Sequence, residues 1–321
     1  MKRIGILTTG GDAPGMNVAI RAAVRTALGM GIGVTGIEKG YRGLHEKLFI
    51  ELDSRSVSGI INKGGTFLKT IRFPEFKDPG VRKKAYANLR SSGIEGLVVI
   101  GGDGSAKGAY YFSTDFDFPV VLVPASIDND LYGSDFTVGF DTAVNTAVEA
   151  VDKIRDTATS HERTFIIEVM GREKGNFAIE VAVACGAEIA LVPEIPADWN
   201  GIAESLRAQE AMGKTSSIII MAEGAGKAES LAAFLREKLP EREIRYSVLG
   251  YIQRGGSPTY FTRVLATRFG SEAVRLLAAG KYPFMVGIKG DEILYTPLKR
   301  VVTTSRLPNL GNIELINRMA I

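Results

Sequence analysis

Three scarcities narrow the field before any motif is considered. The chain carries one cysteine, Cys185, and two histidines, His45 and His161. A disulfide framework and a multi-cysteine zinc site are excluded, and a histidine-built metal centre has too few ligands. A hard-cation site made of carboxylates stays open. No run of 18 apolar residues occurs, and Met1-Lys2-Arg3-Ile4-Gly5 leads straight into a strand-like segment with no apolar leader core. The expectation is a cytoplasmic chain that does not span a membrane. Charge of one sign is lacking as well: 39 Lys and Arg against 36 Asp and Glu leave +3 at pH 7, with the basic residues scattered singly. That distribution speaks against nucleic acid and against a polybasic membrane surface as partners.

What is plentiful is glycine, at 37 of 321 residues with only 12 prolines, against a usual ~7% glycine. Without a collagen-like period, such glycines mark turns where the backbone bends sharply or lets a ligand approach. The length exceeds one core of about 100–200 residues, so two lobes are expected.

Short apolar runs of strand length alternate with longer segments of helical period. Ile4-Gly5-Ile6-Leu7 precedes a helix over 15–30, the strand at 96–100 precedes one over 105–114, and the strand at 120–123 precedes one over 141–159. Strands at 164–169, 189–192 and 217–221 alternate with helices near 175–185 and 200–212. A helix near 259–279, a strand near 284–289 and a closing helix at 311–320 follow. This order predicts an α/β fold, doubly wound, with largely parallel sheets flanked by helices. In the segment from Asp141, Val144, Ala147, Val148, Val151 and Ile154 recur at helical spacing, with Asp141 placed to cap the N-terminus.

Two loops have the form that binds phosphate, in which glycines between a strand and a helix turn bare N–H groups and the positive helix end toward an anion. One is Thr8-Thr9-Gly10-Gly11-Asp12-Ala13-Pro14-Gly15; the other is Gly101-Gly102-Asp103-Gly104-Ser105, with Gly108 one turn further on. Either could be only a tight turn, yet two in one lobe weaken that reading. Asp103 among glycines can reach a phosphate-bound Mg²⁺. The spacing is one residue too long for a dinucleotide fingerprint. Gly213-Lys214-Thr215 imitates the end of a Walker A loop, but Ala208 stands where its first glycine belongs.

After the strand at 120–123 comes Pro124-Ala125-Ser126-Ile127-Asp128-Asn129-Asp130. Two carboxylates two residues apart suit separate duties, one facing metal and one taking a hydroxyl proton; an ordinary Asx-rich turn is the competing reading. Arg72, Arg155, Arg163, Arg172, Arg245 and Arg254 mostly fall in expected loops or element ends, where guanidinium forks can grip phosphate or simply face solvent.

The strings Leu7-Thr8-Thr9-Gly10-Gly11-Asp12-Ala13-Pro14-Gly15-Met16-Asn17, Gly101-Gly102-Asp103-Gly104-Ser105, Ser126-Ile127-Asp128-Asn129-Asp130, Lys153-Ile154-Arg155-Asp156-Thr157-Ala158, Val169-Met170-Gly171-Arg172 and Ile252-Gln253-Arg254-Gly255-Gly256-Ser257-Pro258 together resemble the bacterial ATP-dependent 6-phosphofructokinase family, in its order and spacing over nearly the whole chain. The resemblance implies a homotetramer with active sites shared between subunits, transferring the γ-phosphoryl group of MgATP to the 1-hydroxyl of fructose 6-phosphate. It implies an ATP and Mg²⁺ lobe of 1–139 plus 252–305, and a fructose 6-phosphate lobe of 140–251 plus 306–321. By matching position, Asp128 is the general base, Asp103 the Mg²⁺ ligand and Asp130 a supporting carboxylate. Gly11, Tyr41, Arg72, Phe73, Gly102, Asp103, Gly104 and Ser105 fall at the ATP site. Ser126, Ile127, Asp128, Met170, Gly171, Arg172, Glu223, Tyr251, Ile252, Gln253 and Arg254 fall at the sugar-phosphate site, with Arg163 and Arg245 reaching in from a neighbour. Gly11, Arg72, Ser126 and Arg172 join Asp128 in catalysis. An effector pocket for ADP or phosphoenolpyruvate matches at Arg21, Arg25, Arg155, Gly186, Ala187, Glu188, Met212, Lys214, Thr215 and Ser216.

Departures from the family pattern carry expectations of their own. Ala125 stands where glycine is usual and Ser126 where threonine is, and the Ala125 methyl is expected close to the nucleotide phosphates. Gly104 favours ATP, because pyrophosphate-using relatives tend to carry Asp there. Tyr251 replaces a histidine and cannot become cationic near neutral pH, which predicts weaker fructose 6-phosphate binding. Met212 replaces a cation in the effector pocket, which predicts weak or altered allosteric control. The competing readings are a pyrophosphate-dependent phosphofructokinase and a non-catalytic paralogue binding sugar phosphate or nucleotide.

Overall fold

A computed structural model describes residues 1–320. Its strands in chain order are β1 (Arg3–Thr9), β2 (Gly33–Ile37), β3 (Phe49–Leu52), β4 (Leu97–Gly101), β5 (Val120–Ser126), β6 (Val138–Gly139), β7 (Thr164–Val169), β8 (Ile189–Leu191), β9 (Ser217–Ala222), β10 (Ile244–Val248), β11 (Phe284–Lys289) and β12 (Glu292–Pro297). The helices are α1 (Met16–Gly29), α2 (Gly40–Glu46), α3 (Pro79–Ser91), α4 (Asp103–Phe116), α5 (Phe140–Ser160), α6 (Asn176–Ala184), α7 (Trp199–Ala211), α8 (Ala228–Lys238), α9 (Tyr260–Ala278), α10 (Leu298–Thr303) and α11 (Gly311–Met319).

The chain divides into two compact units. One holds Met1–Thr142 and Arg254–Arg306; the other holds Ala143–Gln253 and the segment that begins at Leu307. In the first unit a sheet runs in the order β12-β11-β5-β4-β1-β2-β3, with β6 paired to the end of β5. Its interior strands are mostly apolar: Leu97, Val98, Val99 and Ile100 of β4 are all buried, as a parallel sheet covered on both faces requires. Gly270 of α9 packs so closely on α1 that an added Cβ would overlap the carbonyl of Ala19. The second unit is built on an all-parallel sheet in the order β10-β7-β9-β8, with Ile166, Ile219, Met221, Leu231 and Leu235 in its core.

This is a mostly parallel α/β architecture, as the alternation of runs and periods predicts. Two differences have physical causes. The edge strands β3 and β12 are antiparallel, and their exposed, charge-bearing residues hide them from an apolar-run reading. The signal for β12 is the two-residue loop Gly290-Asp291, with Gly290 at φ +57°, a glycine-led hairpin turn. Asp141 does not precede its helix: α5 opens at Phe140, so the carboxylate lies inside the first turn and accepts the Thr259 hydroxyl. It still faces the positive helix end. Among the described residues, no helix is long and apolar enough to cross a membrane.

Candidate active site

In the first unit, register brings three loops together. Thr9 of β1 lies opposite Gly101 of β4, which lies opposite Pro124 of β5. The carboxyl ends of adjacent parallel strands therefore deliver Gly10-Gly11, Gly102 to Ser105 and Ser126 to Asp130 side by side, where α/β sheets bind ligands.

The glycine loops are stitched from beneath. The Ser105 hydroxyl donates to the Thr9 carbonyl at 2.9 Å, and the Thr70 hydroxyl donates to the Gly10 carbonyl at 2.9 Å. Gly101 has no room for a side chain, because a Cβ would overlap Ser105 Oγ. Asn17 straps the segment that leads to Arg72, donating to the carbonyls of Lys63 at 3.2 Å and Gly64 at 3.1 Å and accepting the Phe67 N–H at 2.8 Å. Arg72 is exposed and Phe73 half-buried. Gly102 forms the N-cap of α4 with no side chain in the way, leaving first-turn N–H groups open to an anion.

Tyr41 is enclosed against the second glycine loop. Its ring is buried and stacked on Phe76 at 4.1 Å, and its hydroxyl donates to the Ser105 carbonyl at 2.6 Å. Burial pushes its phenol far above the ordinary value. It supports the loop from inside. Ser105 likewise spends its hydroxyl on the Thr9 carbonyl, so its backbone is the part offered to a ligand. Ala125 is buried and pairs across to Val138.

Asp103, in the first turn of α4, pairs with Lys107 at 2.7 Å while its side chain stays 40% exposed. Asp128 is only 3% exposed; its N–H donates to Ser126 Oγ at 3.1 Å, and that hydroxyl lies 3.4 Å from Asp130 Oδ1. The Ile127 side chain is buried. Arg254 approaches Asp12 of the first glycine loop, at 3.7 Å.

The second unit repeats the device. Val248 pairs with Glu168 and Val169 with Ala222, so the ends of β10, β7 and β9 carry 249–253, Met170-Gly171-Arg172 and Glu223 side by side. Gly171 and Arg172 both take positive φ, +134° and +53°. The Arg172 N–H donates to Glu223 at 2.7 Å. Gln253 is buried: its Oε1 accepts the Met170 N–H at 3.3 Å and its Nε2 donates to the Gly250 carbonyl at 2.8 Å. It braces the turn from within. Tyr251 is 82% exposed beside an exposed Ile252.

Arg245 lies inside β10, not in a loop. It shares Glu243 with Arg163, which pairs with that carboxylate at 2.8 Å. The Arg163 hydrogen bond is the chief reason that the Glu243 carboxyl is held below its ordinary value. No motif singled out Glu243; two arginines matched to one surface, with an acid beside them in sequence, were the available signal. Another cluster in this unit joins Arg155, Gly186, Glu188 and Lys214: Arg155 donates to the carbonyls of Cys185 at 2.8 Å and Gly186 at 3.0 Å, and Lys214 pairs with Glu188 at 3.1 Å. Ala187 is buried, while Thr215 and Met212 are exposed and Ser216 is half-buried. Arg21 and Arg25 belong to the first unit, one turn apart on α1.

Residues 3–277 match the family described as Phosphofructokinase. The chain is 52% identical, over the whole length of both chains, to "ATP-dependent 6-phosphofructokinase 1" of Thermus thermophilus. It is 49% identical to the ATP-dependent 6-phosphofructokinase of a Sulfurihydrogenibium species, over 99% of each chain. Among solved structures it resembles phosphofructokinase of Pichia pastoris with a TM-score of 0.89 and 34% identity, covering 94% of this chain and 35% of that one. On its glycine loops, its strand-end site residues and these full-length likenesses, the chain belongs to the phosphofructokinase family.

Proposed function

We propose that this chain transfers the γ-phosphoryl group of ATP to the 1-hydroxyl of fructose 6-phosphate, yielding fructose 1,6-bisphosphate and ADP. The observation that carries the reading is the identity of about half of all residues, end to end, with enzymes named for ATP-dependent 6-phosphofructokinase activity. Gly104 supports ATP over pyrophosphate as donor, since no carboxylate stands at that exposed position of the loop.

Phosphoryl transfer asks a protein for in-line positioning and for cationic compensation of spreading charge. In the first unit, the Gly11 and 102–105 backbones and the N-terminus of α4 receive the donor's phosphates, with Arg72 and Phe73 beside them. Asp128 accepts the proton of the attacking hydroxyl, with Ser126 and Ile127 presenting the loop to the sugar. In the second unit, Met170, Gly171, Arg172, Glu223, Tyr251, Ile252 and Gln253 make the sugar-phosphate surface; in the first unit, Arg254, beside Asp12, is a further guanidinium for substrate phosphate. Arg163 and Arg245 serve a neighbouring subunit of a homotetramer.

The donor set fits Mg²⁺. Asp103, 40% exposed in the first turn of α4, and Asp130, just after β5, would supply hard oxygen ligands for it. When bound, Mg²⁺ neutralises charge on the phosphate oxygens.

The cluster at Arg155, Gly186, Glu188 and Lys214 in the second unit supports binding of ADP or phosphoenolpyruvate as effector, weakened by Met212. The setting is the cytoplasm. Asp128→Ala tests the mechanism: kcat should fall by the ~10²–10⁴ expected of a general base, and near wild-type turnover contradicts the assignment.

A further inference from the structure

The loop 127–137 carries Asp128 between β5 and β6, and a connection of this kind needs restraints to hold a reacting group still. Its hub is Asn129, buried and at φ +49°, a left-handed conformation that asparagine tolerates. The Asn129 amide donates to the Asp135 carbonyl at 3.0 Å, and its Oδ1 accepts the Thr137 N–H at 3.0 Å. The Thr137 hydroxyl donates back to the Ser126 carbonyl at 2.6 Å. The outer limb is pinned to β11: the Asp135 N–H donates to Ile288 at 2.8 Å, the Ile288 N–H to Ser134 Oγ at 3.1 Å, and the Gly290 N–H to Asp135 Oδ2 at 2.8 Å.

One cation spans both limbs. Arg306 Nη1 donates to Asn129 Oδ1 at 3.2 Å and also to the Ser134 carbonyl, while Nη2 donates to the Asp135 carbonyl at 2.9 Å. A backbone bridge between Leu131 and Ser305 brings this distant segment alongside the loop. A planar guanidinium serves three oxygens on two limbs from two separate nitrogens; a lysine ammonium offers its donors from one point on a flexible stem and does not reproduce that spacing.

We propose that Arg306 is a positioning residue for phosphoryl transfer, fixing the Asp128 loop through the Asn129 amide and the Ser134 and Asp135 carbonyls. It does not act on substrate itself, and the inference rests on Asp128 being the base. Displacing a reacting group by about 1 Å can cost 10²-fold in rate. Arg306→Ala is therefore expected to lower kcat by about 10- to 100-fold while the KM for ATP stays close to wild type. Added guanidinium ion, well below unfolding concentrations, should restore part of that kcat where equal sodium chloride does not. A double-mutant cycle with Asn129→Ala should be strongly non-additive.

Unchanged kcat in Arg306→Ala, or a loss that guanidinium does not relieve, overturns the proposal. Should Arg306→Ala fail to fold, Arg306→Lys decides: a folded variant with reduced kcat supports the proposal, and wild-type kcat overturns it. Asp128→Asn run in parallel separates the two readings. If it is inactive while Arg306→Ala is unaffected, only the positioning role fails; if it is active, both fail.

Discussion

The backbone N–H of Arg172 points into the Glu223 carboxylate at 2.7 Å, on a residue with left-handed backbone, φ +53°. A non-glycine residue in that region is costly and persists when its surroundings fix it. Here the carboxylate takes the N–H, and Gly224 lies against the other side of the turn, where a Cβ would overlap the Arg172 carbonyl. Gly224→Ala therefore must move the 170–172 turn. The KM for fructose 6-phosphate should rise by about tenfold, the equivalent of one good hydrogen bond, with little change in the KM for ATP. Steady-state kinetics checks this, and equal effects on both substrates contradict it.

Tyr41 gives a pH prediction whose sign follows from burial. The ordinary phenol value is 10.0 and the folded value lies well above it. A neutral phenol held in the fold stabilises it fully below pH 10; above that, the unfolded chain ionises and the folded one does not, so stability falls by about 1.4 kcal/mol per pH unit from this residue. Tyr41→Phe should lower Tm near neutrality, through the lost bond to the Ser105 carbonyl, and should flatten the decline of Tm between pH 10 and 11. Parallel alkaline profiles for the two proteins contradict the assignment.

Tyr251 stands 82% exposed in the second unit, on the surface proposed to take the sugar phosphate. A histidine there adds a group that can carry charge near neutral pH. Tyr251→His should lower the KM for fructose 6-phosphate several-fold, more at pH 6.5 than at pH 8. An unchanged KM removes Tyr251 from the sugar-phosphate surface.

The parts of the site that were legible in sequence are those written in local chemistry. Gly10-Gly11, Gly102 to Ser105 and Asp128 follow strands directly, and a strand, a glycine turn and a helix together are a short-range pattern. The long helix α5 was legible for the same reason, through its period. What was hidden depends on distant partners. The burial of Gln253, Tyr41 and Ala125 is set by the elements that close over them. Arg306 reaches Asn129 across 177 residues of sequence, and Glu243 owes its place to Arg163 and to the strand β10. The edge strands β3 and β12 lack the apolar content by which an interior strand announces itself.

Phosphoryl-donor choice tests the central claim most directly. In a coupled assay with fructose 6-phosphate and Mg²⁺, initial rates are measured with ATP and then with pyrophosphate at equal concentrations. The account predicts turnover with ATP and little or none with pyrophosphate. Turnover with pyrophosphate alone, or with neither donor, would contradict it.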